Sequence, residues 1–124
     1  MTTLTQGVQT CEWLISTAPG QRSYSKGTAT VSATTALPSG TLMGKVTASG
    51  KYIASAVGAT DGSETPAAIA IYGADATSAD VTVSAIVRDA EVNGNCLTYH
   101  ADRDQPAEKS DANAALATLS VIVR

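Results

Sequence analysis

Cys96 and His100 are the residues with the clearest capacity for chemistry, since a thiol beside an imidazole can be turned into a nucleophile. They stand four positions apart in "CLTYH". That interval aligns side chains on a helix. On a strand it leaves the two on one face but roughly 13 Å apart along the chain, too far for a proton to pass between them. A structural cysteine and a surface histidine account for the pair, and a cysteine hydrolase would have to reveal itself by alkylation of Cys96. With Cys11, the chain offers two thiols and one imidazole, short of the four ligands of a structural zinc site.

Three further constellations fail on spacing. "GTLMGKVT", residues 40–47, approaches a phosphate-binding loop. It is one residue short, has Val46 where a hydroxyl should hold magnesium, and leads into a strand pattern rather than a helix. "DRDQ", residues 102–105, opens like a calcium loop, but Ala107 and Asn113 stand where that loop needs glycine and a bidentate glutamate. Asp89 and Glu91 could pair as glycosidase carboxylates. They lie beside a turn, in a chain whose aromatics are 4% of its residues, too few to line a sugar site. No catalytic residue, cofactor site or metal site emerges.

The elements around these residues read mainly as strands. "CEWLIS", residues 11–16, reads as a short strand with Trp13 and Ile15 on the face of Cys11, and 28–36 as another after a loop. "LPSGTLMGKVTASGKY" reads as a hairpin: Pro38 to Gly40 turn the chain, Leu42 and Val46 face one way with Met43 and Lys45 the other, and Ser49–Gly50 turn it back. Strands follow at 67–72 and at 81–88, where Val81, Val83, Ala85 and Val87 oppose Thr82, Ser84, Ile86 and Arg88. Asn93-Gly94 marks a tight turn, with a strand expected at 96–100. One helix is well written. Asp104 or Gln105 caps it, Pro106 and Glu108 suit its first turn, and Ala112, Ala115, Leu116 and Leu119 share its apolar face. Val121 to Val123 close the domain as a last strand.

The totals agree with one domain of 124 residues, long enough to bury a core without a disulfide or metal staple. Charged residues are 15% of the chain and there is no phenylalanine, so the core must be aliphatic and rich in alanine. The net charge is −3 and the isoelectric point about 4.9. Scattered lysines and arginines argue against nucleic acid and against an anionic membrane surface. No apolar stretch approaches the ~20 residues of a membrane span, and the N-terminus reads as neither a secretion signal nor a foldable unit. A mean hydropathy of +0.05 with so few charges points to surface covered by other subunits.

Residues 1–11 form a separate segment: an uncharged, threonine-rich arm preceding the body at 12–124. The order of arm, "LPSGTLMGKVT", "DGSE", "ADATSADV", "AIVRDAEVN", capped helix and "SVIVR" resembles the lambda-like head decoration proteins of tailed bacteriophages, from about Glu12 to Arg124. The resemblance implies a mainly β, α+β domain of β-tulip-like form with one C-terminal helix. It implies a homotrimer on the outer surface of the virion, made in the host cytoplasm, that stabilises the expanded, DNA-filled head. Its partner would be the major capsid protein, bound at three-fold and quasi-three-fold positions. The arm would add a strand to that partner, which makes Thr2, Thr3, Leu4, Thr5, Gln6, Gly7, Val8, Gln9 and Thr10, with Trp13 at their base, the expected contact residues. Trp13 is equally readable as a core plug. A different class, a small β-rich surface module binding a host glycan, would require Trp13, Tyr24, Tyr52 and Tyr72 to gather on one exposed face.

Overall fold

The computed structural model describes residues 4, 9–20, 23–24, 29–31 and 36–124. Among them run β1 (Leu14–Thr17), β2 (Ala29–Val31), β3 (Ala36–Leu37), β4 (Leu42–Lys45), β5 (Tyr52–Ala54) and β6 (Pro66–Ala70). Then come β7 (Ala74–Asp75), β8 (Val81–Val83), β9 (Ala85–Ile86), β10 (Ala90–Val92), the helix α1 (Pro106–Ala117) and β11 (Val121–Val123). The domain is mainly β with a single C-terminal helix, as the residue pattern implies.

Six strands make the central sheet in the order β8-β2-β5-β4-β6-β9. Its two edge strands, β8 and β9, are separated in sequence by Ser84 alone. A sheet whose opposite edges are one residue apart must curl until those edges meet, so it forms a nearly closed barrel. This is why the expected strand at 81–88 is two strands. At Ser84 the chain leaves one edge and enters the other, and the Ser84 carbonyl accepts from the Ile71 amide at 3.0 Å, one step beyond the Ala70–Ala85 pair.

The barrel interior holds Val31, Leu37, Met43, Ala68, Ala70, Ala74, Ala76, Val83 and Ala85, all buried in one cluster. So small a barrel leaves room for little beyond alanine and valine, and the alanine-rich composition follows from that geometry. The opposite face of the same strands carries Leu42, Ile69 and Ile86, which pack in a second cluster with Trp13, Val92, Leu97, Leu116 and Val121. Leu42 and Met43 are both fully buried, one in each core. The half-buried strand expected at 42–46 is therefore buried on both faces, as is the 81–88 pattern at Ile86. Alternation is real, but its second face meets α1 and the outer sheet rather than water.

That outer sheet has the order β1-β10-β11. β10 and β11 run parallel, and α1 is the crossover that a parallel pair requires. Pro106 opens the helix, and the Gln105 amide donates to Glu108 Oε2 at 3.4 Å. Ala112 and Leu116 are its buried residues. A Cβ on Gly44 would lie 1.9 Å from the Ser63 carbonyl oxygen, so glycine is required there to let the loop at 61–64 cross β4.

Two expected strands differ. Residues 96–100 form a loop with one bridge, Thr98 to Thr41. The chain turns at once, with the Cys96 amide donating to the Asn93 carbonyl at 3.0 Å, so no ladder can start. At the other end, β1 begins only at Leu14. Cys11 adopts φ +62, and the turn places Trp13 inward while Ile15 stays 53% exposed. The shared face expected for Trp13 and Ile15 is not formed.

Candidate functional site

Residues 9–13, where the expected arm meets the body, form a hydrogen-bonded turn. The Gln9 amide donates to Glu12 Oε2 at 2.8 Å, and the Glu12 and Leu14 amides donate to the carbonyls of Gln9 and Cys11, each at 3.1 Å. These bonds turn the chain so that the Trp13 indole enters the outer core, where it is fully buried. A buried indole N–H must find an acceptor. Trp13 Nε1 donates to Ser39 Oγ at 3.0 Å, and Ser39 Oγ donates onward to the Ile71 carbonyl at 2.6 Å. A Cβ on Gly40 would sit 2.7 Å from the indole Cδ1, and Gly40 adopts φ +82. The "PSG" turn thus does more than reverse the chain: it shapes the slot for the tryptophan. Of its two readings, Trp13 is the core plug.

Across the junction, the Asn93 amide donates to the Trp13 carbonyl at 2.7 Å, tying the root to the outer sheet. Of the expected contact residues, Gln9, Thr10 and Trp13 belong to this turn region, and Leu4 is 90% exposed. Thr2, Thr3, Thr5, Gln6, Gly7 and Val8 lie outside the described residues.

The other candidates resolve as parts of the scaffold. Cys11 and Cys96 are half-buried free thiols against the outer core. His100 Nδ1 accepts from the Asp102 amide at 3.1 Å, a local turn contact. Glu91 pairs with Arg124 at 2.8 Å on the surface. Among the described residues no group of His, Cys, Asp and Glu could hold a metal ion, and no helix is long and apolar enough to cross a membrane. An open groove of about 550 Å³ passes Tyr99, Lys109, Asn113 and Arg124. Within it the Tyr99 hydroxyl donates to Asn113 Oδ1 at 2.7 Å, and Lys109 Nζ lies 5.5 Å from the Tyr99 ring centroid. Tyr24 packs on the outer cluster and Tyr52 on the barrel cluster, while Tyr72 is 57% exposed. The aromatic face that a glycan module would need is not assembled.

Arg103, inside the "DRDQ" stretch that fails as a calcium loop, has a structural part that the residue pattern does not show. Arg103 is 5% exposed. Its Nε donates to the Ser55 carbonyl at 3.1 Å, Nη2 to Ser55 Oγ at 3.2 Å and to the Glu64 carbonyl, and Nη1 to the Glu108 carbonyl at 3.3 Å. One guanidinium therefore joins the loops after β5 and before β6 to the first turn of α1. An arginine between two acids looks exposed on paper, and no local signal marks it otherwise.

What the described residues assemble is a braced body to which the turn at 9–13 is tied. The family model of the bacteriophage lambda head decoration protein D matches residues 3–121. The chain belongs to that family. The match enters the arm at Thr3, further toward the N-terminus than the resemblance from Glu12 onward, and it spans both the barrel and the outer sheet. Membership in the head decoration family implies a structural role, binding to the capsid and a place at the virion's capsid surface. No curated protein matches the chain in sequence.

Proposed function

We propose that this head decoration protein is a cementing subunit that sits as a homotrimer on the outer face of the expanded capsid, at three-fold and quasi-three-fold positions. Its arm, residues 1–11, adds a strand to the major capsid protein and so clamps neighbouring capsomers against the pressure of packaged DNA. The observation that carries the reading is the anchored root: Trp13 is locked in the core just beyond an uncharged, threonine-rich arm whose Leu4 is 90% exposed.

The energetics favour a multivalent arrangement. Ordering each arm residue costs ~1–2 kcal/mol, while each backbone hydrogen bond nets only ~0.5–1.5 kcal/mol. A single arm binds weakly. Three arms on one trimer make the second and third attachments intramolecular, and the avidity supplies the clamp. The role of Trp13 is then to transmit load from arm to body rather than to touch the capsid itself. Its amide neighbours supply the same service through the Asn93–Trp13 bond. A net charge of −3 suits the outside of a DNA-filled shell, where no phosphate backbone must be neutralised. The arm is tested by deleting residues 1–8, which keeps the Gln9 bonds of the root, and measuring occupancy on expanded capsids. Occupancy should fall steeply while the body melts as before; full occupancy without the arm would contradict the reading.

A further inference from the structure

The turn between β10 and the loop that follows it is written Asn93-Gly94, the pair in which a side-chain amide is least shielded from the next backbone nitrogen. Both residues have a part in the turn. Asn93 Oδ1 accepts from the Asn95 amide at 3.0 Å, closing the turn. A Cβ at position 94 would lie 2.7 Å from Val123 Cγ1, so no larger residue fits against β11 without displacement. The labile pair is therefore built into the structure rather than incidental to a loop.

The same structure restrains it. The Gly94 amide donates to the Arg124 carbonyl at 3.0 Å, and Arg124 is itself held by its own amide, which donates to the Val92 carbonyl at 2.8 Å. The Arg124 guanidinium pairs with Glu91 at 2.8 Å. The nitrogen that would attack the side chain is thus occupied for as long as the end of β11 stays on β10.

We propose that Asn93–Gly94 is a latent deamidation site, closed by the pairing of β11 with β10 and opened when that pairing frays. In the reaction the Gly94 nitrogen attacks Cγ of Asn93, the Cγ–Nδ2 bond breaks, and ammonia leaves carrying the amide proton. Water then opens the resulting succinimide at either carbonyl, giving aspartate or isoaspartate. The second product reroutes the main chain through a methylene. Because the Asn93 amide donates to the Trp13 carbonyl at 2.7 Å, that rerouting falls on the root of the arm. Conversion is a chemical clock on the anchor.

The test follows acid and isoaspartate formation at Asn93 by peptide mass spectrometry and isoaspartyl methyltransferase labelling during prolonged incubation at neutral pH. Three samples are compared: the folded protein, the same protein in urea, and Arg124→Pro, which removes the Arg124 amide, together with an exposed pair to Glu91 that is worth little, but leaves Asn93 and Gly94 intact. Conversion should be slow in the folded protein and fast in urea. Arg124→Pro should convert about fivefold faster than the folded parent, the factor that corresponds to one net hydrogen bond. Equal rates in the folded and unfolded parent would overturn the proposal, as would an Arg124→Pro rate no different from the parent's.

Discussion

Arg103 reaches Ser55, 48 positions earlier in the chain, with two bonds: Nε to the carbonyl at 3.1 Å and Nη2 to the hydroxyl at 3.2 Å. An always-charged side chain buried among neutral acceptors is tolerable only because several of its donors are matched. Their removal takes the guanidinium donors from the Ser55 carbonyl and leaves the Glu64 carbonyl with the Ser55 hydroxyl at 3.2 Å as its donor. Arg103→Met should therefore lower stability by about 3 kcal/mol. Arg103→Lys should recover little of it, since a point ammonium cannot span the same acceptors. Chemical denaturation of the two variants measures both. Near-parental stability in Arg103→Met would show that the clamp is dispensable.

The serine under the tryptophan makes a second prediction. In Ser39→Ala the Trp13 indole N–H loses its acceptor and the Ile71 carbonyl loses its donor, at a cost of about 2 kcal/mol. The tryptophan is the chain's only one, so its fluorescence reports the site directly. A red-shifted emission with a lower midpoint of unfolding is expected. An unchanged spectrum and midpoint would mean that the slot holds the ring by shape alone.

Stability should decline at both ends of the pH range for separate reasons. The Ser63 hydroxyl and amide donate to Asp61 Oδ1 at 2.5 and 3.0 Å, and these bonds hold the Asp61 carboxyl below its ordinary value. Thr77 does the same for Asp75. Carboxylates depressed by folding add stability above their unfolded pKa, and lose it as pH falls through the folded one. Burial pushes the Tyr99 hydroxyl up, against the opposing bond to Asn113. Its contribution is complete below the ordinary tyrosine value near 10 and is lost as pH rises through the higher folded value. Melting temperatures across pH should show a gentler acid limb in the Asp61→Asn, Asp75→Asn double variant and a gentler alkaline limb in Tyr99→Phe. Limbs that superimpose on the parent's would assign the pH dependence to other groups.

How much of this could be seen in the residues varies with the range of the interaction. The strand at 42–45, the helix from Pro106 and the closing strand are local, and they are where the pattern puts them, whereas the strand expected at 81–88 divides at Ser84. What alternation cannot show is which face meets water. Ile86 and Leu42 look like one side of a half-buried strand until a second core is laid against them. Ser84 is an ordinary strand residue until the barrel closes across it. Arg103 has no local mark because all its acceptors except Glu108 come from loops about 40 or more positions away. Trp13 stood between two readings for the same reason: its slot is made by Ser39 and Gly40, which no pattern near Trp13 announces. The family match from residue 3 extends the likeness to residues before Glu12.

Under the proposed function, residues 1–11 fasten a trimer to the capsid exterior. The most direct measurement is cryo-electron microscopy of expanded, undecorated capsids mixed with saturating protein. Trimeric density should appear on the outer surface at the three-fold and quasi-three-fold positions, with residues 1–11 continuing a strand of the major capsid protein. Bare capsids, or trimers seated with their arms away from the shell, would contradict it.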